Sequence, residues 1–193
     1  MLAAEQLTFR RNGEHILGPL SLTVHAGELW LVEGANGSGK TTLLRLLAGL
    51  LEPGAEEDAP ARIERAAPPA FLGHQLGLRA ELSALANLRF ARALAGAPGL
   101  APSAALAAVG LSGWEERPVA ELSAGQRKRV ALARLLVAPA PLWLLDEPYA
   151  NLDGAGAELL NRLLEQQLAR DGAAVITAHG PVPWRGPCRR LAL

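Results

Sequence analysis

At 193 residues, half of them hydrophobic, the chain has the length and apolar content of one globular domain with a full core. Its 19 acidic and 19 basic residues cancel, which excludes a protein that holds nucleic acid or an anionic lipid surface by net charge. Cys188 is the only cysteine, which excludes an intrachain disulfide and fits a reducing compartment.

Residues 1–13 lack the basic-then-apolar pattern of a cleaved leader. The apolar run 43–51 carries an arginine and ends far short of the ~20 residues that span a bilayer. A soluble chain is expected, inserting nowhere in a membrane by itself. Residues 2–9 and 16–24 read as strands around the turn-forming Arg11-Asn12-Gly13. Gly27 precedes a buried strand at 29–33, which runs straight into a glycine-rich loop and then a helical apolar spacing. Residues 52–69, rich in Pro, Ala and charge, read as an exposed connection with one edge strand at 61–65, and 70–73 as a further short strand. The pattern is helical at 83–95 and 103–109, with Gly-Ala-Pro-Gly between. Ser103 is the expected N-cap of the second helix and Gly110 its C-cap. Residues 142–145 form another buried strand, 155–170 an amphipathic helix and 174–177 a third buried strand, followed by a Pro/Gly-rich loop and a last strand. The helical middle, 76–137, is expected to stand as a lobe beside a core of 1–75 and 138–193. No regulatory domain is expected after His179.

Three segments carry chemistry. Gly34-Ala35-Asn36-Gly37-Ser38-Gly39-Lys40-Thr41-Thr42 matches GxxxxGK[ST] between a strand and a helix. Its glycines let backbone N–H groups curl around phosphates, and the helix adds its positive end. Lys40 brings a point charge to those phosphates and the Thr41 hydroxyl is a magnesium ligand of the right hardness. The apolar strand 142–145 delivers Asp146, a second candidate ligand, and Glu147, a candidate base for an attacking water. Ser123-Ala124-Gly125-Gln126, 23 residues before Asp146, opens a long helix expected over 127–137. A serine and a glycine at a helix start make an anion site or an ordinary N-cap.

Their order resembles ABC-type ATPases, whose LSGGQ signature is similar to Leu122-Ser123-Ala124-Gly125-Gln126 here. Asn151-Leu152-Asp153 resembles the family's D-loop and Thr177-Ala178-His179 its H-loop. The resemblance implies an α/β P-loop NTPase with a mixed RecA-like core sheet, an antiparallel β lobe and a helical lobe. It implies ATP and Mg²⁺, with His179 on the γ-phosphate and Asp153 near the nucleotide. It also implies a head-to-tail pair, in which ATP lies between one subunit's Lys40 loop and the partner subunit's signature.

Two positions depart from the family pattern. Where a glutamine ends the strand near residue 73, the chain reads His74-Gln75, and either residue is a candidate for the role beside magnesium and water. Where an aromatic stacks on adenine, the chain has Arg11, whose guanidinium stacks on a base in another way; weaker adenine selectivity is expected.

Residues 71–90, 122–135 and 141–153 are similar to the cytochrome c maturation, or haem-exporter, branch of the family. That likeness implies integral-membrane partner subunits and a peripheral position on the cytoplasmic face of a bacterial inner membrane. The alternatives are the ATPase of an exporter of drugs, lipids or polysaccharides, or a soluble ABC ATPase of another kind. Lys40 and Lys128 are the only lysines among abundant arginines, which reads as compositional bias.

Overall fold

The structure is a computed structural model and describes all residues except 54, 57, 58 and 96–98. The first strands, β1 (Leu2–Arg11) and β2 (Glu14–Val24), form a hairpin around Asn12 and Gly13, whose φ values of 52° and 83° suit a two-residue turn. β6 (Arg62–Arg65) pairs antiparallel with the other edge of β1, as the edge strand expected there. Between them the supposed plain connection holds a further antiparallel pair, β4 (Ala55–Glu56) and β5 (Ala59–Pro60).

The second sheet is five strands wide and wholly parallel. Its order is β10 (Arg189–Ala192), β3 (Leu29–Glu33), β9 (Ala173–Ala178), β8 (Leu142–Leu145) and β7 (Ala70–Leu72). Parallel strands buried on both faces need continuous apolar runs. β8 and β9 comply, every residue of each being buried. Parallel pairing is thus confined to the five-stranded sheet, and antiparallel pairing to the β2–β1–β6 sheet and the β4–β5 pair.

α1 (Lys40–Ala48) lies between those sheets, burying Leu43, Leu44, Leu46 and Leu47 in one cluster with Leu7, Leu22, Leu144 and Val175. Arg65 on β6 reaches its carboxyl end, donating from Nε to Leu47 O (2.7 Å) and from Nη2 to Leu46 O (2.7 Å). A cation there answers the negative end of the helix dipole.

On the other side of the parallel sheet α5 (Gly154–Ala169) packs on β9 and α4 (Ala124–Val137) on α5, while α2 (Ala84–Leu94) and α3 (Pro102–Ala108) pack on α4 and on each other. One apolar cluster runs from Leu145 and Ile176 of the sheet through α4 into Leu88 and Leu106, so the helical middle shares the core of the sheet. Ser103 does not cap α3. Its N-cap is Ala101, because Pro102 takes the first helical position, where a preset φ and a missing N–H cost nothing. Gly110 follows the cap residue Val109 with φ 74°, the left-handed stop. The 96–99 connection falls largely outside the described residues.

Asn87 locks the turn that enters α2. Its Oδ1 accepts from Arg79 N–H (2.8 Å), and its amide donates toward the carbonyls of Arg79 (3.0 Å), Leu82 (3.3 Å) and Ser83 (3.0 Å). At 6 % exposure no water replaces these bonds. Asn87→Ala is expected to lower stability by about 2–3 kcal/mol, seen as an earlier urea midpoint at unchanged slope. An unchanged midpoint would contradict the lock.

Candidate active site

Because β3, β7, β8 and β9 run parallel, their carboxyl ends emerge on one edge, where open α/β sheets bind ligands. The loop 34–39 leaves β3 there. Gly37 and Gly39 adopt φ of 84° and 96°, which only glycine takes without strain, and a Cβ on Gly39 would lie 2.9 Å from Ile16 O of β2. Ser83, Ser123 and Asp153 cap α2, α4 and α5 with their side chains, but α1 starts on Gly39 with no side-chain cap. Its first-turn N–H groups, including those of Thr41 and Thr42, and its positive dipole end therefore face an anion without competition. Ser38 Oγ is buried in the loop with no hydrogen-bond partner, a further donor for such a ligand. Lys40, 6 % exposed, folds back so that Nζ donates to Gly34 O (2.7 Å) and Ala35 O (2.8 Å). Ala35, Asn36 and Gly37 form the exposed rim.

Beneath the loop, Asp146 is 3 % exposed and accepts two hydroxyl groups. Thr41 Oγ1 donates to Oδ2 (2.8 Å) and Thr177 Oγ1 donates to Oδ1 (2.8 Å). The Thr41 hydroxyl and the Asp146 carboxylate, both hard oxygen donors, fit a magnesium ion. Glu147 follows at φ 45°, a left-handed conformation that costs a non-glycine residue of order 1–3 kcal/mol. Its N–H donates to Thr177 Oγ1 (2.8 Å), and its carbonyl accepts from Ala150 N–H (3.1 Å) and Lys128 Nζ (3.2 Å).

His179 is exposed directly after β9, next to the Glu33–Ala178 pair from which the loop departs. His74 and Gln75 are both exposed just after β7, whose last residue, Leu72, accepts from Asp146 N–H (2.8 Å). All three stand on the same edge as Lys40. Arg11 ends β1 opposite Glu14, exposed, on the hairpin whose Ile16 touches the loop, while Phe9 packs against the core.

The remaining candidates form a second group. Ser123 and Gln126 close a capping box, Ser123 Oγ accepting from Gln126 N–H (3.2 Å) and Gln126 Oε1 from Ser123 N–H (2.9 Å). α4 thus begins at Ala124, three residues earlier than its apolar spacing suggests. Gly125 lies against the 147–153 loop, where an added Cβ would come 3.3 Å from Asn151 O. Asp153 accepts from Gly156 N–H (2.7 Å) and from Arg129 Nη2 (3.1 Å). Those donors hold its carboxyl below the usual range, the Gly156 N–H contributing most. Ser123, Gly125, Gln126, Arg129, Asn151 and Asp153 line one groove. No hydrogen bond among the described residues joins that groove to Lys40 or Thr41.

Residue order did not disclose Thr177 as the bridge between the two acids, nor Lys128 as a partner of Glu147. Lysine rarity was the available signal. The chain has seventeen arginines and two lysines, and both lysines, 6 % and 5 % exposed, lie at this site.

The family model described as ABC transporter matches residues 17–150, about two thirds of the chain. The chain belongs to the ABC transporter family. Among curated ABC relatives, a cytochrome c biogenesis ATP-binding export protein of Xanthomonas campestris is 53 % identical over 186 residues, covering 93 % of this chain and 87 % of its own. The protein of the same name from Methylococcus capsulatus is 46 % identical, covering 100 % and 97 %. Among solved structures, the post-hydrolysis dimer of an ATP-binding cassette bound to ADP and Pi superposes with a TM-score of 0.80 at 23 % identity, covering 93 % and 88 %. That structure supports the ABC cassette fold. No helix among the described residues is long and apolar enough to cross a membrane.

Proposed function

We propose that this chain is the ATP-hydrolysing subunit of a membrane complex for c-type cytochrome biogenesis, turning ATP hydrolysis into movement of membrane partner subunits. The chain of bonds from Thr41 through Asp146 and Thr177 to the Glu147 N–H carries the reading. It supports reading Asp146 as a cation ligand and its neighbour Glu147 as the base, under an uncapped helix start. The export function rests on the shared name of relatives near 50 % identity over most of the chain.

Loop N–H groups and Lys40 bind the β- and γ-phosphates of ATP; Lys40 exchanges its two loop carbonyls for phosphate oxygens. Thr41 and Asp146 hold Mg²⁺, which when bound supplies positive charge against those phosphates, and Gln75 or His74 stands beside it. Glu147 accepts a proton from the attacking water, whose oxygen forms the new bond to the γ-phosphorus as the bond to ADP breaks. His179 steadies the γ-phosphate, and Arg11 flanks the adenine. Ser123, Ala124, Gly125, Gln126 and Asp153 serve the nucleotide of a second subunit, because their groove is separate from the Lys40 loop of their own chain. Two copies arranged head to tail complete two sites.

The complex sits at the cytoplasmic face of the bacterial inner membrane, this chain held there by integral-membrane partners. Affinity purification from native membranes is expected to recover membrane subunits of cytochrome c maturation, released by a chaotropic wash. Recovery of a different permease would overturn the haem assignment and leave the ATPase in place.

A further inference from the structure

We propose that Lys128 is a positioning residue for hydrolysis, holding the backbone of Glu147 from the helix that carries the signature segment. The inference rests on Glu147 being the base in the function proposed above.

Glu147 is held from both sides of its Cα. Its N–H, on the peptide shared with Asp146, donates to Thr177 Oγ1; its carbonyl, on the peptide shared with Pro148, accepts from Ala150 N–H and from Lys128 Nζ at 3.2 Å. Bonds on both flanking peptides set φ and ψ together, and those two angles aim Cβ and the carboxylate behind it. External bonds are needed because φ is 45°. A non-glycine side chain is strained there, and a following proline restricts the residue further. Ala150 closes a local turn and Thr177 belongs to the sheet, so of the three partners only Lys128 comes from α4.

The placement of Lys128 is costly for any other purpose. It is 5 % exposed, and an ammonium removed from water survives only when paired. Burial lowers its proton affinity, and the charges of Asp146 and Glu147 oppose that effect. Arginine is the ordinary cation of this chain, yet lysine stands here.

Lys128 lies five residues after Ser123 on the same helix, whose capping box fixes how α4 begins. A shift of α4 at the partner's nucleotide therefore pulls on the Glu147 carbonyl of its own subunit. A displacement near 1 Å at a base costs roughly a hundredfold in rate.

The test compares full-length wild type, Lys128→Met, Lys128→Arg and Glu147→Gln for steady-state hydrolysis, binding of a fluorescent ATP analogue, and melting temperature. Lys128→Met keeps the length of the side chain and removes its donor. It is expected to lower kcat roughly 10- to 100-fold, with KM and analogue affinity within about threefold of wild type. Lys128→Arg, which can still donate to the carbonyl, is expected to recover most of that loss even if its melting temperature falls. Wild-type kcat in Lys128→Met would overturn the proposal. So would a loss that follows melting temperature in both variants, because packing alone would explain it. Full hydrolysis by Glu147→Gln would instead overturn the base assignment on which the proposal stands.

Discussion

Replacing Glu147 by glutamine is expected to cut ATP hydrolysis roughly 10²–10³-fold while leaving ATP affinity within a few-fold. The backbone bonds that hold residue 147 come from Thr177, Ala150 and Lys128, and none involves its side chain. Glutamine therefore inherits the position and loses only the capacity to take a proton. With hydrolysis stopped, the two separate halves of the site remain joined through bound ATP. Size-exclusion chromatography with ATP and Mg²⁺ is expected to show a dimer for the variant and a monomer for wild type without nucleotide. A variant that binds ATP yet elutes as a monomer would contradict the head-to-tail sandwich.

Lys40→Ala is expected to weaken ATP binding by roughly a hundredfold or more, to the point where hydrolysis is lost with it. Two effects add. The phosphates lose their one point charge, and the carbonyls of Gly34 and Ala35 lose the ammonium that holds the loop in shape. Calorimetric titration of ATP and the melting curve together separate the two effects. A stable fold with near-normal ATP affinity would overturn the role assigned to Lys40.

Much of the site was legible from residue order because its parts are local. The loop 34–42 needs glycines at set positions between a strand and a helix, and all of that lies within a few residues. The buried strands β8 and β9 were equally plain, since a strand buried on both faces reads as a continuous apolar run. The errors were local competitions. At α3 a proline at the first helical position prevailed over a serine as the start signal. At α4 the capping box started the helix three residues ahead of the apolar periodicity, because hydrogen bonds and not burial decide a helix end. The pairing of β4 with β5 left no trace in composition.

The sequence by itself determined that this is an ABC-type ATPase, that a glycine-rich loop joins a strand to a helix at 34–42 and which two acids follow the buried strand, because those facts depend on neighbours in the chain. Only the tertiary structure decided that Thr177 bridges Asp146 and Glu147, that Lys128 holds Glu147 from the signature helix, and that Ser123 and Asp153 line one groove. Thr177 follows Asp146 by 31 residues, and Lys128 precedes Glu147 by 19. Strand register and the seating of α4 against the sheet bring them together, and packing at that range has no signature in residue order.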